Sequence, residues 1–380
     1  MVYLDYNATT PLAPEARDAM LPFLDGCYGN PSSIHAAGRS ARAAIDDARD
    51  EVAAFLGVRA HEVIFTGGGT ESCNLGVIGL ARAHAARGKH VITSATEHHA
   101  VLHAFEYLQH FEGFQVTILP VNRLGMIDPS TLRRAIRADT TLVSVMHANN
   151  ETGVIAPLAE LGAICSEKGI RFHSDAIQTF GKIQVRPREL GLSALSIAGH
   201  KFYGPKGVGI LWLDAGVAIS RIGHGGAHEN TRRPGTENVA GIVGLATAAR
   251  VVLPRAESGS ARLGLLRERL WDGIASVCPQ AVRNGDPECT LSNTLNVSFP
   301  GADGEALLIG LDLEGICVSS GSACMVGSVQ ASHVLLAMGV PHASALATIR
   351  FSLGHETTLD DIGETVRALA CVLENQPVPA

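Results

Sequence analysis

The stretch Glu62-Val-Ile-Phe65-Thr66-Gly67-Gly68-Gly69-Thr70-Glu71-Ser72 joins an apolar run to three consecutive glycines and an amphipathic segment. The apolar run predicts a β-strand, and the pattern over 70–87 predicts a helix. A strand that passes through glycines into a helix starts a β-α-β unit, and free N–H groups at the helix start attract phosphate. An ordinary strand-to-helix turn would use the same residues, so both interpretations stay open.

The same alternation continues toward the C-terminus. Strands are predicted at 89–93, 115–119, 141–145, 170–173, 194–197 and 208–212, with helices at 98–110, 129–137 and 157–168. Such alternation predicts an α/β fold with a mainly parallel sheet that is covered on both faces by helices.

The pattern changes after about residue 235. Two long helical stretches at 237–253 and 257–278 precede strand-like runs at 295–299, near 316 and at 348–352, and a last helix is predicted at 358–373. We expect a large domain of residues 14–255 and a smaller α+β domain formed by 1–13 and 256–380, with a mobile cysteine loop at about 318–330.

Composition narrows the class of protein. The 380 residues are enough for two domains, and 46% are hydrophobic, which is typical of a globular chain. A net charge of −7 without a basic stripe argues against direct nucleic-acid binding. The N-terminus lacks a secretory signal pattern, and no apolar run is long enough to span a bilayer, so we expect a cytoplasmic protein without membrane contact.

Two motifs place reactive side chains after predicted strands. Asp175 ends the strand of His173-Ser174-Asp175, where open α/β sheets bind ligands, although such an Asp more often caps a helix. Lys201 follows the small residues Ala198 and Gly199; a desolvated lysine there would be nucleophilic, although most lysines are solvated surface groups.

Cysteines and histidines add two further candidates. None of the eight cysteines forms a CxxC pair, and only Cys324 lies in a small polar loop, as suits a nucleophile that must move; a free thiol without a role is the alternative. The adjacent His98 and His99 point in different directions on a helix, which disfavours a metal site and favours one of them as an acid–base or ring-stacking group.

Further segments, taken in order and spacing with these motifs, resemble the cysteine desulfurases. This family comprises fold-type-I pyridoxal-phosphate (PLP) enzymes within the class V aminotransferase group. The segments are Leu4-Asp5-Tyr6-Asn7-Ala8-Thr9-Thr10-Pro11, Gly29-Asn30-Pro31-Ser32-Ser33, Met146-His147-Ala-Asn149-Asn150-Glu151-Thr-Gly153, Gly235-Thr236 and Ile349-Arg350-Phe351-Ser352-Leu353-Gly354. The loop Ser319-Ser320-Gly321-Ser322-Ala323-Cys324 resembles the branch that serves general and nitrogen-fixation iron–sulfur cluster assembly.

The resemblance implies a fold-type-I transferase with a seven-stranded sheet and a role for each matching residue. Lys201 would hold PLP and move the Cα proton, His98 would stack on the ring, and Cys324 would accept sulfur from L-cysteine as a persulfide. Further cofactor contacts would come from Asp175 and Gln178 at the ring, Asn150 beside it, Gly69, Thr70 and His200 at the phosphate, and Thr236 from the second subunit of a homodimer. Asn30, Asn150 and Arg350 would bind substrate, with no resident metal, although Cys324 could transiently ligate an iron–sulfur cluster.

Two positions depart from the family pattern. Ala198 stands where a Ser or Thr usually donates to the phosphate, at a cost of roughly 1.5–3 kcal/mol if nothing replaces that bond. Met325-Val326 follow Cys324 in place of small polar residues. The sulfur acceptor stays open among an iron–sulfur scaffold protein, a tRNA-thiolation relay and a DNA-sulfur-modification system. A related PLP lyase or aminotransferase and a non-catalytic scaffold are the alternative functions.

Overall fold

The computed structural model describes residues 1–320 and 330–375. The strands are β1 (Val2–Tyr3), β2 (Val63–Thr66), β3 (His90–Ser94), β4 (Gln115–Leu119), β5 (Thr140–Ser144), β6 (Arg171–Asp175), β7 (Ala194–Ala198), β8 (Gly209–Leu213), β9 (Val282–Asn284), β10 (Thr294–Ser298), β11 (Ile316–Cys317) and β12 (Thr348–Ser352). The helices are α1 (Pro14–Leu24), α2 (Ala36–Leu56), α3 (Gly69–His84), α4 (His99–Glu112), α5 (Pro129–Ala135), α6 (Leu158–Glu167), α7 (Val239–Val252), α8 (Ala256–Val277), α9 (Gly304–Leu313), α10 (His333–Ala337), α11 (His342–Leu346) and α12 (Leu359–Glu374).

Seven strands form one sheet in the order β2-β8-β7-β6-β5-β3-β4. Strand β8 runs antiparallel to both neighbours, and the remaining pairs are parallel. Every residue of β2, β3, β5, β7 and β8 is buried, as expected where helices cover both faces. The predicted α/β fold with a mainly parallel seven-stranded sheet is confirmed.

Helices pack on both faces of this sheet. One core joins side chains of α2, α6 and α7, among them Ile45, Leu161 and Leu245. The other joins α3 and α4 through residues such as Leu75 and Phe105. Strands β2, β3, β5, β6 and β7 all run in the same direction, so their carboxyl ends share one edge of the sheet. This is the edge where α/β proteins bind ligands.

A second, smaller core lies around two short sheets. Strands β12-β10-β9 are antiparallel, and β1 pairs in parallel with β11, so the N-terminal segment joins the C-terminal third of the chain. Leu4, Leu270, Leu295 and Phe351 meet in this core. The exact domain boundaries stay a prediction.

Helices α1 and α2 had no counterpart in the sequence prediction. The buried side of α2 is built mostly from alanines together with Ile45 and Val52, so its apolar stripe is weak in sequence. Both helices pack on α7.

One helical stretch, Val239–Val277, is long and apolar enough to cross a membrane by length and composition. This finding differs from the sequence prediction that no apolar run is long enough to span a bilayer; the stretch consists of α7, a short 3₁₀ turn and α8. Of the stretch's most apolar window, 56% is buried inside the protein, and the core helix of a globular protein passes the same test.

Candidate active site

A cleft of about 460 Å³ lies at the carboxyl edge of the large sheet. The N-terminal segment, through Asn7 and Ala8, and the small sheet, through Ser319 and Arg350, supply the opposite wall. Nine residues with predicted site roles line the cleft together: Gly69, Thr70, His98, Asn150, Asp175, Gln178, His200, Lys201 and Arg350. Side chains from distant parts of the sequence therefore converge on one volume.

Lys201 lies in a single 3₁₀ turn, Gly199–Lys201, directly after β7. Its Nζ donates hydrogen bonds to the main-chain oxygens of Asn7, at 2.6 Å, and Ala8, at 2.7 Å. Burial, and then the positive charge of Arg350, lower the pKa of this amine to about 8. About a tenth of this amine is therefore neutral at pH 7, far more than for an ordinary lysine, and the neutral form is the nucleophile.

Asp175 ends β6, the strand next to β7, and faces the same cleft. Its Oδ1 accepts from the main-chain N–H of Ile177 at 2.9 Å, and its Oδ2 accepts from the Cys73 thiol at 3.6 Å. Burial raises the pKa of Asp175 to about 6. The thiol is a weak donor, so this desolvated carboxylate is suited to a cationic N–H from a ligand.

The glycine-rich turn forms one end of the cleft at the start of α3. Gly68 has a φ of 145°, which residues with a side chain rarely adopt. A Cβ on Gly209 of β8 would lie 2.7 Å from the main-chain carbon of Gly68, so strand and turn touch through their backbones. An adjoining recess is lined by Gly69, Thr70 and His200. A helix start with hydroxyl and imidazole donors beside it is suited to a phosphate group.

Arg350, on β12, is 5% exposed. Its Nη1 donates to the main-chain oxygen of Asn150 at 3.0 Å, and its Nη2 donates to Asp5 at 2.7 Å. Among the described residues, the buried Nε has no hydrogen-bond partner. This guanidinium therefore has a donor to spare for a carboxylate.

His98 is the N-cap of α4, and its Nδ1 accepts from the main-chain N–H of Ala100 at 3.1 Å. Burial lowers the pKa of His98 to about 4, and the charge of Lys201 adds to this effect. The ring is therefore neutral at ordinary pH. The ring of His99 lies 4.7 Å from that of His333 and 5.1 Å from that of His103, yet the described residues contain no group arranged to hold a metal ion.

Asn7 had no predicted role, and the structure makes it a link between the large sheet and the small three-stranded sheet. Its main-chain oxygen accepts from Lys201 and from Gln178 Nε2, the latter at 2.9 Å. Its Oδ1 accepts from Lys182 Nζ at 3.1 Å and from Asn293 at 3.0 Å. Lys182 was missed, since no sequence signal separates a buried lysine from a surface one.

Two buried acids were also missed: Glu97, and Glu151, which lines the cleft. Glu97 accepts from Ser94, at 2.7 Å, and from the main-chain N–H of Met146, at 2.8 Å, and burial raises its pKa to about 8. Burial raises the pKa of Glu151 to about 7, and this acid accepts a hydrogen bond from Ser332. The sequence signal was weak, since Glu97 only directly precedes His98 and Glu151 only follows Asn150 in one of the family segments.

Two described residues with predicted site roles, Asn30 and Thr236, are not brought to the cleft. Asn30 is exposed, and its side chain accepts from the N–H of Ser32 at 2.9 Å. Thr236 is exposed in the loop before α7 and does not line the cleft of its own chain. Cys324 lies outside the described residues.

Comparison with known proteins agrees with this geometry. Residues 2–364 match the family model described as aminotransferase class-V. A protein named cysteine desulfurase IscS from Dictyoglomus turgidum is 48% identical over 373 residues, covering 98% of this chain and 94% of the relative.

Two solved structures are also similar. A NifS-like protein superimposes with a TM-score of 0.92 at 36% identity, covering 98% of this chain and 99% of that one. The structure titled SspA in complex with cysteine has a TM-score of 0.83 at 34% identity, covering 93% and 99% respectively. The chain therefore belongs to the cysteine desulfurase family of class-V aminotransferases.

Proposed function

We propose that this protein converts L-cysteine to L-alanine with PLP, the cofactor of its family, and passes the sulfur through a persulfide on Cys324 to an acceptor protein. The observation that carries the proposal is the meeting of Lys201, Asp175 and Arg350 in one cleft at the carboxyl edge of the large sheet. This set combines an amine with a lowered pKa, a buried carboxylate and a buried guanidinium. The guanidinium suits the carboxylate of an amino-acid substrate, and the other two groups suit its cofactor.

The residues present fit PLP. The buried carboxylate of Asp175 would receive a charged donor from the pyridine nitrogen, which would stabilise its ionised form. The turn at Gly67–Gly69, with Thr70 and His200, would hold the phosphate, and His98 would stack on the ring. When bound, PLP supplies a ring that accepts electrons and stabilises negative charge at the substrate Cα.

The protein's own groups handle the protons. Lys201 would hold the cofactor and, once released by substrate, take the proton from Cα, which its lowered pKa of about 8 favours. The neutral imidazole of His98, with a pKa of about 4, would accept or donate a proton in the cleft. Arg350 and Asn150 would orient the substrate carboxylate.

Sulfur transfer balances between two thiols. The Cys324 thiolate would attack the sulfur of L-cysteine, an S–S bond would form, and the C–S bond would break with its electron pair returning to the substrate. Protonation of that carbon yields L-alanine, and Cys324 keeps the sulfur as a persulfide. Ser319 lines the cleft and pairs with Arg350 through both main-chain hydrogen bonds. Five residues span up to about 17 Å when extended, so Ser319 can tether Cys324 within reach of the substrate.

We also propose a homodimer in which Thr236 completes the phosphate site of the second subunit. Thr236 is exposed, and its neighbour Glu237 pairs with Arg42 of α2 at 2.6 Å, which ties this loop to the α1–α2 region. That region exposes four large apolar side chains: Leu21, Leu24, Tyr28 and Ile34. Burial of this patch against a second copy would remove it from water.

A cytoplasmic location is supported by cysteine chemistry. All seven described cysteines are free thiols, as is typical of proteins in a reducing compartment. A scaffold for iron–sulfur clusters or a thiolation relay would receive the sulfur there, and the chain is expected to contact that protein and not nucleic acid directly.

The substitution Cys324→Ser tests the proposal, with Cys371→Ser, an exposed cysteine at the end of α12, as the matched control. We expect Cys324→Ser to keep the visible absorbance of bound PLP and to lose alanine formation from L-cysteine, while Cys371→Ser keeps both. Full activity in Cys324→Ser would contradict the proposal and favour a PLP lyase, such as a selenocysteine lyase, in which Cys324 is incidental.

A further inference from the structure

Lys182 lies behind the cleft, seven residues after Asp175, and has no role in the mechanism above. Its Nζ donates to Gln178 Oε1 at 2.9 Å and to Asn7 Oδ1 at 3.1 Å. Lys201 donates to the main-chain oxygen of the same Asn7 at 2.6 Å. Both lysines also line one small cavity of about 30 Å³. Two amines are therefore held side by side through one asparagine.

The bond from Lys182 decides the orientation of the Gln178 amide. An amine in this setting is a donor, so Gln178 must turn its Oε1 toward Lys182 and its NH₂ group away from it. One N–H of that group donates to Asn7 at 2.9 Å, and the amide lines the cleft, which leaves a second N–H for an acceptor there. An amide without this anchor could present either end, because its two ends are almost equal in size.

We propose that Lys182 is a positioning residue of this active site: it fixes the Gln178 amide so that an N–H faces the ring oxygen of the cofactor, and it places a second cationic group next to Lys201. The inference rests on the proposed function, in which Gln178 contacts that oxygen.

The surrounding charges determine how Lys182 acts on Lys201. Burial, and then the charges of Lys201 and Arg350, lower the pKa of Lys182 to about 7, so the two amines compete for protons. The other titratable or charged groups near the pair are Asp5, Tyr6, His98, Asp175, Arg186, His200, Tyr203, Glu257 and His355. Removal of Lys182 would raise the proton affinity of the bond that joins Lys201 to the cofactor, for two reasons: a like charge disappears, and the donor to the ring oxygen is no longer fixed.

The experiment titrates the visible absorbance of bound PLP against pH in the holoenzyme. Lys182→Met should move the midpoint upward by roughly half to one pH unit. Lys182→Arg, which keeps the charge and the donors, should restore it toward the wild-type value. Lys168→Met, at an exposed lysine paired with Glu167, is the matched control and should leave the midpoint unchanged.

A double-variant comparison separates positioning from packing. If Lys182 acts through the Gln178 amide, Lys182→Met should shift the midpoint less in a Gln178→Ala background than in the wild-type background, because only the charge effect remains. The shifts of the two single variants are then not additive in the double variant. An unmoved midpoint in Lys182→Met, or the same shift in both backgrounds, would overturn the proposal. Should Lys182→Met fail to hold PLP, Lys182→Leu, which also removes both the charge and the donor, is titrated in its place and judged by the same two outcomes. The titration requires bound cofactor but no turnover of L-cysteine, so failure of the proposed function shows separately as absent alanine formation.

Discussion

Arg350→Lys tests whether the buried guanidinium binds the substrate carboxylate. Arg350 donates from Nη1 to the main-chain oxygen of Asn150 and from Nη2 to Asp5, and its Nε has no partner among the described residues. Lysine keeps the charge but replaces a planar fork of five donors with one ammonium group. The ammonium cannot satisfy Asp5, the Asn150 oxygen and a carboxylate at the same time with the original geometry.

The expected loss in kcat/KM follows from the number of hydrogen bonds to the substrate carboxylate that the variant cannot make. A hydrogen bond to a charged group contributes about 1.5–3 kcal/mol, and loss of one such bond to the carboxylate lowers kcat/KM by about 10- to 150-fold. The carboxylate is bound before and during the reaction, so most of the loss should appear as a higher KM, with kcat changed little.

The assay measures alanine formation across a range of L-cysteine concentrations at saturating PLP. Arg267→Lys is the matched control, since Arg267 is also a buried arginine in an ion pair but donates to Leu291 away from the cleft. Both variants should lose thermal stability, and only Arg350→Lys should raise KM. A KM within twofold of wild type in Arg350→Lys, or an equal rise in the control, would refute the assignment of Arg350 to the carboxylate.

Two further predictions test the cofactor turn and the buried acid. Gly209→Ala should weaken PLP binding at least about tenfold in a fluorescence titration, because its Cβ would meet the Gly68 backbone at 2.7 Å; Gly26→Ala, with open space around it, is the control, and equal affinities would contradict the prediction. Burial raises the pKa of Glu97 from 4.5 to about 8, so the folded form keeps a proton that the unfolded chain releases, and wild-type stability falls by up to about 1.4 kcal/mol per unit as pH rises through that window. Glu97→Gln cannot ionise, so its stability relative to wild type should grow with pH in urea unfolding, and parallel stability curves would contradict this reasoning.

Local patterns were sufficient to predict most of the large sheet. Its central strands are largely buried, and each is a short segment that includes apolar residues. Asp175 at the end of β6 and Lys201 in the turn after β7 were found from their positions at these strand ends. The alternation predicted that each side chain lies at the ligand-binding edge of the sheet, and the resemblance to the family assigned both to one cofactor site.

Local patterns could not predict contacts between distant segments. The main-chain N–H of Asn7 donates a hydrogen bond to the Ser352 hydroxyl, 345 residues away. The hydrophobic pattern around either residue does not indicate this contact. The burial of Lys182 could not be predicted from its local sequence either, because it depends on contacts with Asn7 and Gln178 that form only in the folded chain. The helix α2 was missed for a third reason: alanines carry its buried face and give little periodic contrast.

The N-terminal segment explains why neither core could form this site alone. Asp5 pairs with Ser352 in the small sheet and holds Arg350, while the main-chain oxygens of Asn7 and Ala8 hold the amine of Lys201 from the large sheet. The free amine is thereby kept at the cleft by two acceptors that a bound cofactor must displace. Asn7 keeps its bond from Gln178 when that happens, so its buried oxygen stays satisfied. Asn7 and Ala8 therefore position the Lys201 amine before the cofactor binds. Because Asn7 keeps its bond from Gln178, the free energy needed to release the amine is lower.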